Sequence, residues 1–338
     1  MKSYLEATSI PTVEVAGVPL PRLVLGNLPF LGESYQGPEK NKVYAERFSH
    51  AENTVRIIRR AVSDFGLTVV GVMPPMMGEL ARLFFEALRE VISETQVEIG
   101  LISCFTIPLQ MRGERVDDYR RWVTYHSIEA QGKAEVTEKY LSDPILLSRE
   151  GWRQRFPEVL TQMKPYSREE IVGMTLDKMG LERMLGALSS FRTLLAEPGS
   201  ETDFLALTGR TDILEEVVAT CSKRLGCPVV VGTHHAGVTI PILDASGILI
   251  SGYVTPVNSI GALMLPSQEQ ALEALSKTKK TLIAIKPMAG GRIAPKKAFE
   301  YVFKKVGATS CMIGVASETE LQRDVQAAEY FVTASPFH

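Results

Sequence analysis

Short apolar runs alternate along this chain with longer segments in which apolar residues recur at helical spacing. Near the C-terminus, for example, residues 281–285 and 310–314 are apolar, and each run leads through small residues into a helical pattern. Continuous apolar runs of this length are typical of strands that are buried on both faces of a parallel sheet. The pattern predicts eight strands, which we place at residues 23–26, 67–72, 97–104, 203–208, 228–233, 248–254, 281–285 and 310–314.

Eight successive strand–helix units predict the fold class, an α/β protein built as a (β/α)8 TIM barrel. A doubly wound parallel sheet is the alternative, and the long series of units makes it the weaker one. Before the first strand, residues 12–15 form a short segment that is followed by Gly17 and Pro19. We interpret this segment as an N-terminal hairpin that closes the floor of the barrel.

Residues 106–200 interrupt the alternation because they show helical patterns but no convincing strand. We predict a long helical insertion after strand three, within a single barrel domain that spans residues 1–338. Ser167 and Glu170 have the spacing of a capping box, and apolar residues from Leu181 to Leu195 mark another helix. Because loops at the C-terminal ends of barrel strands form the catalytic face, the insertion is expected to shape a substrate pocket.

Composition and charge restrict the class of partner. The 338 residues are 45% hydrophobic and 22% charged, with a formal net charge of -2, so we expect neither nucleic acid nor a membrane as a partner. The first residues lack the apolar core of a signal peptide, and the four cysteines show no metal-binding spacing. These features predict a reduced, cytoplasmic protein.

The turns after strands seven and eight are the first candidate ligand site. Backbone N–H groups at glycine turns and at helix N-termini can bind a phosphate without a charged side chain. The two turns therefore predict a site for a phosphate-bearing, anionic small molecule. Its candidate residues are Gly290, Gly291 and Arg292 after strand seven, and Gly314, Ala316 and Ser317 after strand eight.

Two adjacent histidines, His234 and His235, follow strand five and are candidates for acid–base catalysis or metal binding. Since neighbouring residues on a strand point in opposite directions, we expect one of them at most to face the pocket. No second set of ligands completes a metal site, so we assign no metal residues. A histidine that bonds loop backbone is the plain structural alternative.

Further candidates stand at the ends of other strands. Lys286 could form a Schiff base with a carbonyl substrate or contact an anionic ligand electrostatically. Cys104 could be a nucleophile, although buried cysteines more often serve as small apolar side chains. Asn27 and Asn258 are predicted to hydrogen-bond a ligand.

The order of these motifs resembles that of the aldo/keto reductases, especially their ferredoxin-linked relatives. The resemblance covers about half of the chain, from Val15 to Gly26 and from about Asp203 to the C-terminus. Its motifs are residues 21–26, 231–234 and 257–258, followed by 286–291 and 313–317. It implies a barrel fold and, as a cofactor, NADP bound at the turns after strands seven and eight.

The resemblance also implies an Asp, Tyr, Lys and His tetrad at the ends of strands two, three and four. By position, those four places fall near Gly71, Met76, Cys104 and Thr208, and none has the expected residue type. The cofactor positions differ as well, with Thr233-His234 and Arg323-Asp324 in place of the family's Ser-Asn and Glu-Asn. Ordinary carbonyl reduction is therefore not expected.

The sequence supports one leading hypothesis and two alternatives. The leading one is an aldo/keto reductase-like barrel without the reductase tetrad, which binds a nucleotide cofactor or a phosphorylated metabolite. If it is an enzyme, we expect a histidine as the acid–base group and Lys286 as the electrostatic partner. The alternatives are a lyase, aldolase or metal-dependent enzyme that uses Lys286 or the histidine pair, and a non-catalytic binding or assembly protein. A homo-oligomer fits each of them.

Overall fold

The computed structural model describes residues 10–332, and it begins with the predicted hairpin. Strands Thr12–Val15 and Val18–Pro21 pair antiparallel. Ala16 and Gly17 form the turn with φ values of 50° and 81°. Val15 and Leu20 of the hairpin are fully buried and pack into one apolar cluster with the barrel strands. The hairpin therefore lies against the inside of the barrel, as its apolar residues predict.

Eight parallel strands form the barrel that the sequence predicts. In order around the sheet, neighbouring strands pair in parallel, and the bridge between Ala196 and Val229 joins the two ends. In chain order the barrel strands one to eight are Leu23–Gly26, Val69–Val72, Gly100–Phe105, Thr193–Pro198, Val230–Gly232, Gly252–Pro256, Thr281–Ile285 and Ser310–Ile313.

The core has two layers because every barrel strand presents one face inwards and one face to the surrounding helices. Inward-facing Val24, Val69, Ile102, Val230 and Ile283 form a cluster of their own inside the barrel. The outer faces pack against helices in a larger cluster. The helices of seven or more residues are Pro38–Phe48, Ala51–Phe65, Glu79–Thr95, Asp118–Ala130, Ala134–Ser142, Trp152–Gln162, Lys178–Leu188, Glu201–Leu207, Thr211–Leu225, Ala236–Ser246, Gln268–Lys277 and Glu318–Val332.

The prediction for strand four is wrong. Residues 203–208, which the apolar pattern places in a strand, belong instead to the short helix Glu201–Leu207 and its C-terminal cap. Strand four is Thr193–Pro198, inside the segment that the sequence assigns to helices. Strand six also begins later than predicted, at Gly252. The correction matters for the site because the end of strand four now carries a different side chain.

The segment between strands three and four contains helices, as predicted, and also a small sheet. Its strands Leu109–Met111, Glu114–Arg115 and Met174–Leu176 pair antiparallel. The capping box is present, since the Ser167 side chain accepts from the Glu170 backbone and the Glu170 side chain accepts from the Ser167 backbone. The remaining short helices within residues 10–332 are Arg168–Val172, Pro295–Glu300, the π-helical turn Tyr301–Val306 and the 3-10 helices Leu28–Leu31, Pro75–Met77 and Leu146–Ser148.

Candidate active site at the open end of the barrel

A cavity of about 610 Å³ opens at the C-terminal ends of the barrel strands. This is the end at which TIM barrels carry their active sites, because the loops there vary without disturbing the strands. Each of the following side chains lies at or just after the end of a different strand and lines the cavity: Asn27, Met73, Cys104, Glu197, His234 and Lys286.

Lys286 provides a cation in the cavity that no carboxylate neutralises directly. Its Nζ lies 3.4 Å from Nε2 of His234 and 4.9 Å from the centre of the Tyr35 ring. Within residues 10–332, it forms no ion pair with any carboxylate. Burial, together with the nearby charge of Arg149, lowers the pKa of Lys286 to about 8. The residue also has a φ of 54°, a left-handed conformation that is uncommon outside glycine and turns the chain at the end of strand seven.

Glu197 is a buried carboxyl group opposite this lysine, only 5% exposed. Burial raises its pKa to about 7, while the Cys104 thiol and the charge of Lys286 act in the opposite direction. A Cβ atom at Gly232 would lie 3.1 Å from Oε1 of Glu197, so glycine leaves room for this carboxyl on the neighbouring strand. Burial and the Glu197 carboxylate raise the pKa of Cys104, so that it stays a thiol, which does not favour the predicted nucleophile.

The two histidines separate, although both lie in the loop after strand five, which ends at Gly232. His234 lines the cavity, and burial together with the charge of Lys286 lowers its pKa, so that its ring is neutral. Its Nδ1 is buried without a hydrogen-bond partner in the described chain. Asp203 fixes the start of this loop, because its carboxylate accepts the His234 backbone N–H at 2.9 Å and the Thr233 hydroxyl.

His235 lies outside the cavity, in an aromatic cluster of the insertion. Its Nδ1 is 2.8 Å from Oε1 of Glu129, and the Tyr140 hydroxyl donates to the same carboxylate. Its ring lies 4.3 Å from that of Tyr125. Burial lowers the pKa of His235, but the Glu129 carboxylate outweighs burial and raises it. The structure places His235 away from the cavity that holds His234 and Lys286, which gives it a role in anchoring the insertion to the barrel.

The two predicted asparagines also separate. Asn27 lines the cavity, where its Oδ1 accepts the Met73 backbone N–H at 3.3 Å and its Nδ2 has no partner in residues 10–332. Asn258 is fully buried and bonds both backbone groups of Ala262, so it holds its own loop rather than the cavity wall.

The turn after strand seven lines the cavity through its glycines but not through Arg292. Gly290 and Gly291 have φ values of 68° and 80° and lie at the cavity edge. The Arg292 guanidinium donates to the carbonyls of Tyr35 and Ala289, at 2.9 and 2.8 Å, which ties this turn to the loop after strand one. Arg292 is thus a structural clamp in this conformation.

At the turn after strand eight, hydrogen-bond donors already bind carboxylates of the chain. Gly314 lines the cavity, but the Ala316 N–H donates to Oε2 of Glu320 at 2.7 Å, and the Ser317 hydroxyl accepts the Glu320 N–H. Farther along the same edge, the Arg323 guanidinium donates to Asp324 at 2.8 Å. Two donors at this turn, the Ala316 N–H and the Arg323 guanidinium, are thus paired with acids of the chain itself.

This edge does not fit NADP. Glu320 and Asp324 line the cavity beside Arg323, and burial raises the pKa of Asp324 to about 6, so it carries a negative charge at neutral pH. A dinucleotide with a 2′-phosphate would bring several negative charges against these carboxylates.

The sequence missed three residues of the site. The apolar pattern places strand four ten residues too late, which hides Glu197. It also misplaces the fourth tetrad position near Thr208, because Thr208 caps a helix. Tyr35 stands in a polar loop that gave no signal, yet its ring faces Lys286. Asp203 falls within residues 203–208, which the apolar pattern assigns to strand four, so its position beside the His234 loop is not evident. The sequence does contain one indication of Glu197: it is an acidic residue that ends an apolar run directly before Pro198.

Two general features complete the description of residues 10–332. No group of three or more His, Cys, Asp or Glu side chains in this range is arranged to hold a metal ion. No helix in the same range is long and apolar enough to cross a membrane.

The fold is that of the aldo-keto reductases. A solved structure from Pseudomonas aeruginosa, whose name gives it as a presumed aldo-keto reductase, superposes with a TM-score of 0.55 at 14% identity, over 98% of this chain and 100% of that one. A second structure from this organism, also named a presumed aldo-keto reductase, gives 0.52 at 13% identity, over 95% and 96%. No protein-family model and no curated protein matches the sequence. At these identities the likeness concerns the fold.

Proposed function

We propose that this chain is an enzyme with an aldo-keto reductase-like barrel that binds a small phosphorylated metabolite and acts on it by proton transfer. The observation that carries the proposal is the position of Lys286, a cation that lines the cavity without an ion-pair partner in residues 10–332. A ligand with a negative charge would supply the missing counter-charge.

The turn beside Lys286 supports the same ligand. Gly290 and Gly291 follow Lys286 in one loop and line the cavity with backbone in the left-handed conformation. No acceptor in residues 10–332 pairs with their N–H groups. Consecutive backbone N–H groups in such a turn form a concave site for an anion. We therefore assign the phosphoryl group to this turn rather than to the turn after strand eight, where Glu320 lies.

Proton transfer is the chemistry that the remaining cavity groups support. With a pKa of about 7, Glu197 is present in both protonation states at neutral pH, which is the property of an efficient acid–base group. Lys286 remains mostly protonated at that pH and would stabilise negative charge that develops on the substrate. Neutral His234 accepts a hydrogen bond from Lys286 through Nε2 and holds the amine in place.

Hydride transfer by the family's tetrad is not part of this proposal. At Gly71, the first tetrad place, a Cβ atom would lie 2.4 Å from atoms of Met312, so an apolar side chain fills that space. Cys104 stands at another of the places, and the end of strand four carries Glu197 instead of a histidine. These residues support the loss of the tetrad.

Calorimetric titration with inorganic phosphate tests the ligand site. We expect saturable binding to the wild-type protein and a loss of about 10- to 100-fold in affinity for Lys286→Met, because a charged hydrogen bond contributes about 1.5–3 kcal/mol. Lys297→Met is the matched control, since Lys297 is exposed on the helix that follows the same loop. We expect NADPH to give no saturable binding.

Two results would contradict the proposal. One is the absence of phosphate binding by the wild-type protein. The other is equal affinity in the wild-type protein and Lys286→Met, which would place any phosphate elsewhere.

A further inference from the structure

We propose that Lys286 forms a covalent imine with the carbonyl group of a phosphorylated ketone or aldehyde, and that Glu197 transfers the protons of this step. The inference rests on the proposed ligand site and adds to it the class of substrate and the bond that is made. It uses a residue, Glu197, that the strand pattern of the sequence did not reveal.

The surroundings of the Lys286 amine fit a nucleophile. The Tyr35 ring and the His234 imidazole enclose it, and neither is a carboxylate that would hold the amine in its charged form. A desolvated lysine releases its proton more easily than a solvated one, which is the basis of imine-forming lysines. Here burial and the charge of Arg149 outweigh the opposing effect of Glu197. The lowered pKa, about 8, agrees with this environment.

Glu197 can transfer protons to and from the carbonyl group that Lys286 attacks. It lies at the end of strand four and Lys286 follows strand seven, and both residues line the same cavity. The Lys286 charge lowers the pKa of Glu197, and the Glu197 carboxylate raises that of Lys286. The space above Gly232 holds the Glu197 carboxyl against the barrel wall, with the Cys104 thiol beside it.

Lys286 and Glu197 supply the nucleophile and all the proton transfers of the covalent step. The neutral amine attacks the carbonyl carbon, a C–N bond forms, and the carbonyl oxygen takes the proton of Glu197. The nitrogen then returns one proton to the Glu197 carboxylate, which gives a neutral carbinolamine. Glu197 next protonates the hydroxyl group, the C–O bond breaks, and water leaves as the nitrogen lone pair forms the C=N bond. No oxidant or reductant is needed.

The products of this sequence define the reaction class. An iminium ion remains on Lys286, and Glu197 is left as a carboxylate beside it. The carboxylate can remove a proton from the carbon next to the iminium carbon, and the C–H electrons then move toward nitrogen to form an enamine. An enamine is the intermediate of isomerisation and of carbon–carbon bond formation or cleavage, so the substrate is a carbonyl compound with a hydrogen on the adjacent carbon.

Reductive trapping tests the proposal. The full-length protein is incubated with dihydroxyacetone phosphate and sodium borohydride, and the adduct is located by intact-mass measurement and peptide mapping. We expect one adduct, on Lys286, in the wild-type protein and in the control Lys297→Met. Glu197→Gln should form it about 100-fold more slowly, because it lacks the general acid.

Lys286→Arg separates covalent chemistry from binding and from misfolding. Arginine keeps the positive charge and a long stem but cannot form the imine. We expect this variant to bind inorganic phosphate within about threefold of the wild-type affinity, since the charge is retained, while it gives no adduct at position 286.

The two proposals fail in different ways. Phosphate binding to the wild-type protein without an adduct on Lys286 would overturn the imine and leave the proposed ligand site intact. An adduct on Lys286 without phosphate binding would support the imine and overturn the phosphate site. An adduct distributed over exposed lysines, and unchanged in Lys286→Arg, would overturn the imine as well.

Discussion

The Glu197 carboxyl is subject to two opposing physical effects. Burial disfavours its charged form, whereas the cation of Lys286 favours it, and the balance leaves a pKa of about 7. A carboxyl group with this pKa exchanges protons at neutral pH, which solvent-exposed glutamates do not. The proposed acid–base role therefore depends on Glu197 staying buried beside Lys286.

The raised pKa also makes the stability of the fold depend on pH. Its folded pKa of about 7 lies above the reference value of 4.5, so protonated Glu197 favours the folded state and the stabilisation is lost as pH rises from 4.5 through 7. Relative to Glu197→Gln, the wild-type free energy of unfolding should fall by about 3 kcal/mol between pH 4.5 and pH 8. Urea unfolding at a series of pH values measures this difference.

A control isolates the effect of burial. Glu90 is exposed on the helix Glu79–Thr95, and Glu90→Gln should give a stability curve parallel to that of the wild-type protein. If Glu197→Gln also gives a parallel curve, the pKa of Glu197 is not raised and it is not the acid–base group.

At the scale of helices and strands, the sequence predicts most of the barrel but not strand four. The helix Glu201–Leu207 is buried on nearly every side, with Phe204 and Leu205 fully enclosed, so it lacks the polar face that marks a surface helix. A short apolar run of this kind cannot be distinguished from a buried strand by periodicity. The true strand, Thr193–Pro198, follows the helix Lys178–Leu188 so closely that its leucines continue the helical pattern.

The sequence predicts the position of a cavity residue when that residue follows a well-defined strand. It does not predict contacts between segments that are distant along the chain. Lys286 and His234 follow strands that the sequence places correctly, and both line the cavity. His235 meets Glu129 only because the insertion folds back onto strand five, a contact between residues 106 positions apart. No pattern along the chain shows such a contact.

The insertion should depend on that contact for its stability. In Glu129→Gln, the His235 imidazole and the Tyr140 hydroxyl lose a charged acceptor in a buried site, so we expect a loss of about 2 kcal/mol in the free energy of unfolding. The measurement is urea unfolding at neutral pH. Glu135→Gln, on the exposed side of the next helix, is the control.

The His235 pKa gives this prediction a second readout. Because Glu129 raises the folded pKa of His235, the contribution of the pair is present at low pH and is lost as pH rises through that pKa. The stability difference between the wild-type protein and Glu129→Gln should therefore shrink as pH rises. Equal losses for Glu129→Gln and Glu135→Gln would show that the pair does not anchor the insertion.

For the whole molecule, the barrel fold is shared with the aldo-keto reductases, and two carboxylates lie at the part of its opening where the sequence resemblance implies NADP. Glu320 and Asp324 line the cavity after strand eight, and Lys286 lies with the glycine turn after the neighbouring strand seven. This distribution favours a small anion on the Lys286 side over an extended dinucleotide. We propose that the negative charge of the ligand binds against Lys286.

The pH dependence of sulfate affinity tests that claim most directly, because sulfate keeps its charge over the relevant range and stands in for a phosphoryl group. Calorimetry between pH 6 and pH 9 should show affinity falling as pH rises, first as Glu197 becomes charged near pH 7 and then as Lys286 loses its proton near pH 8. Lys286→Met should bind weakly and lack the second decrease. Sulfate affinity that stays constant from pH 6 to pH 9, or that is the same in Lys286→Met, would contradict the account.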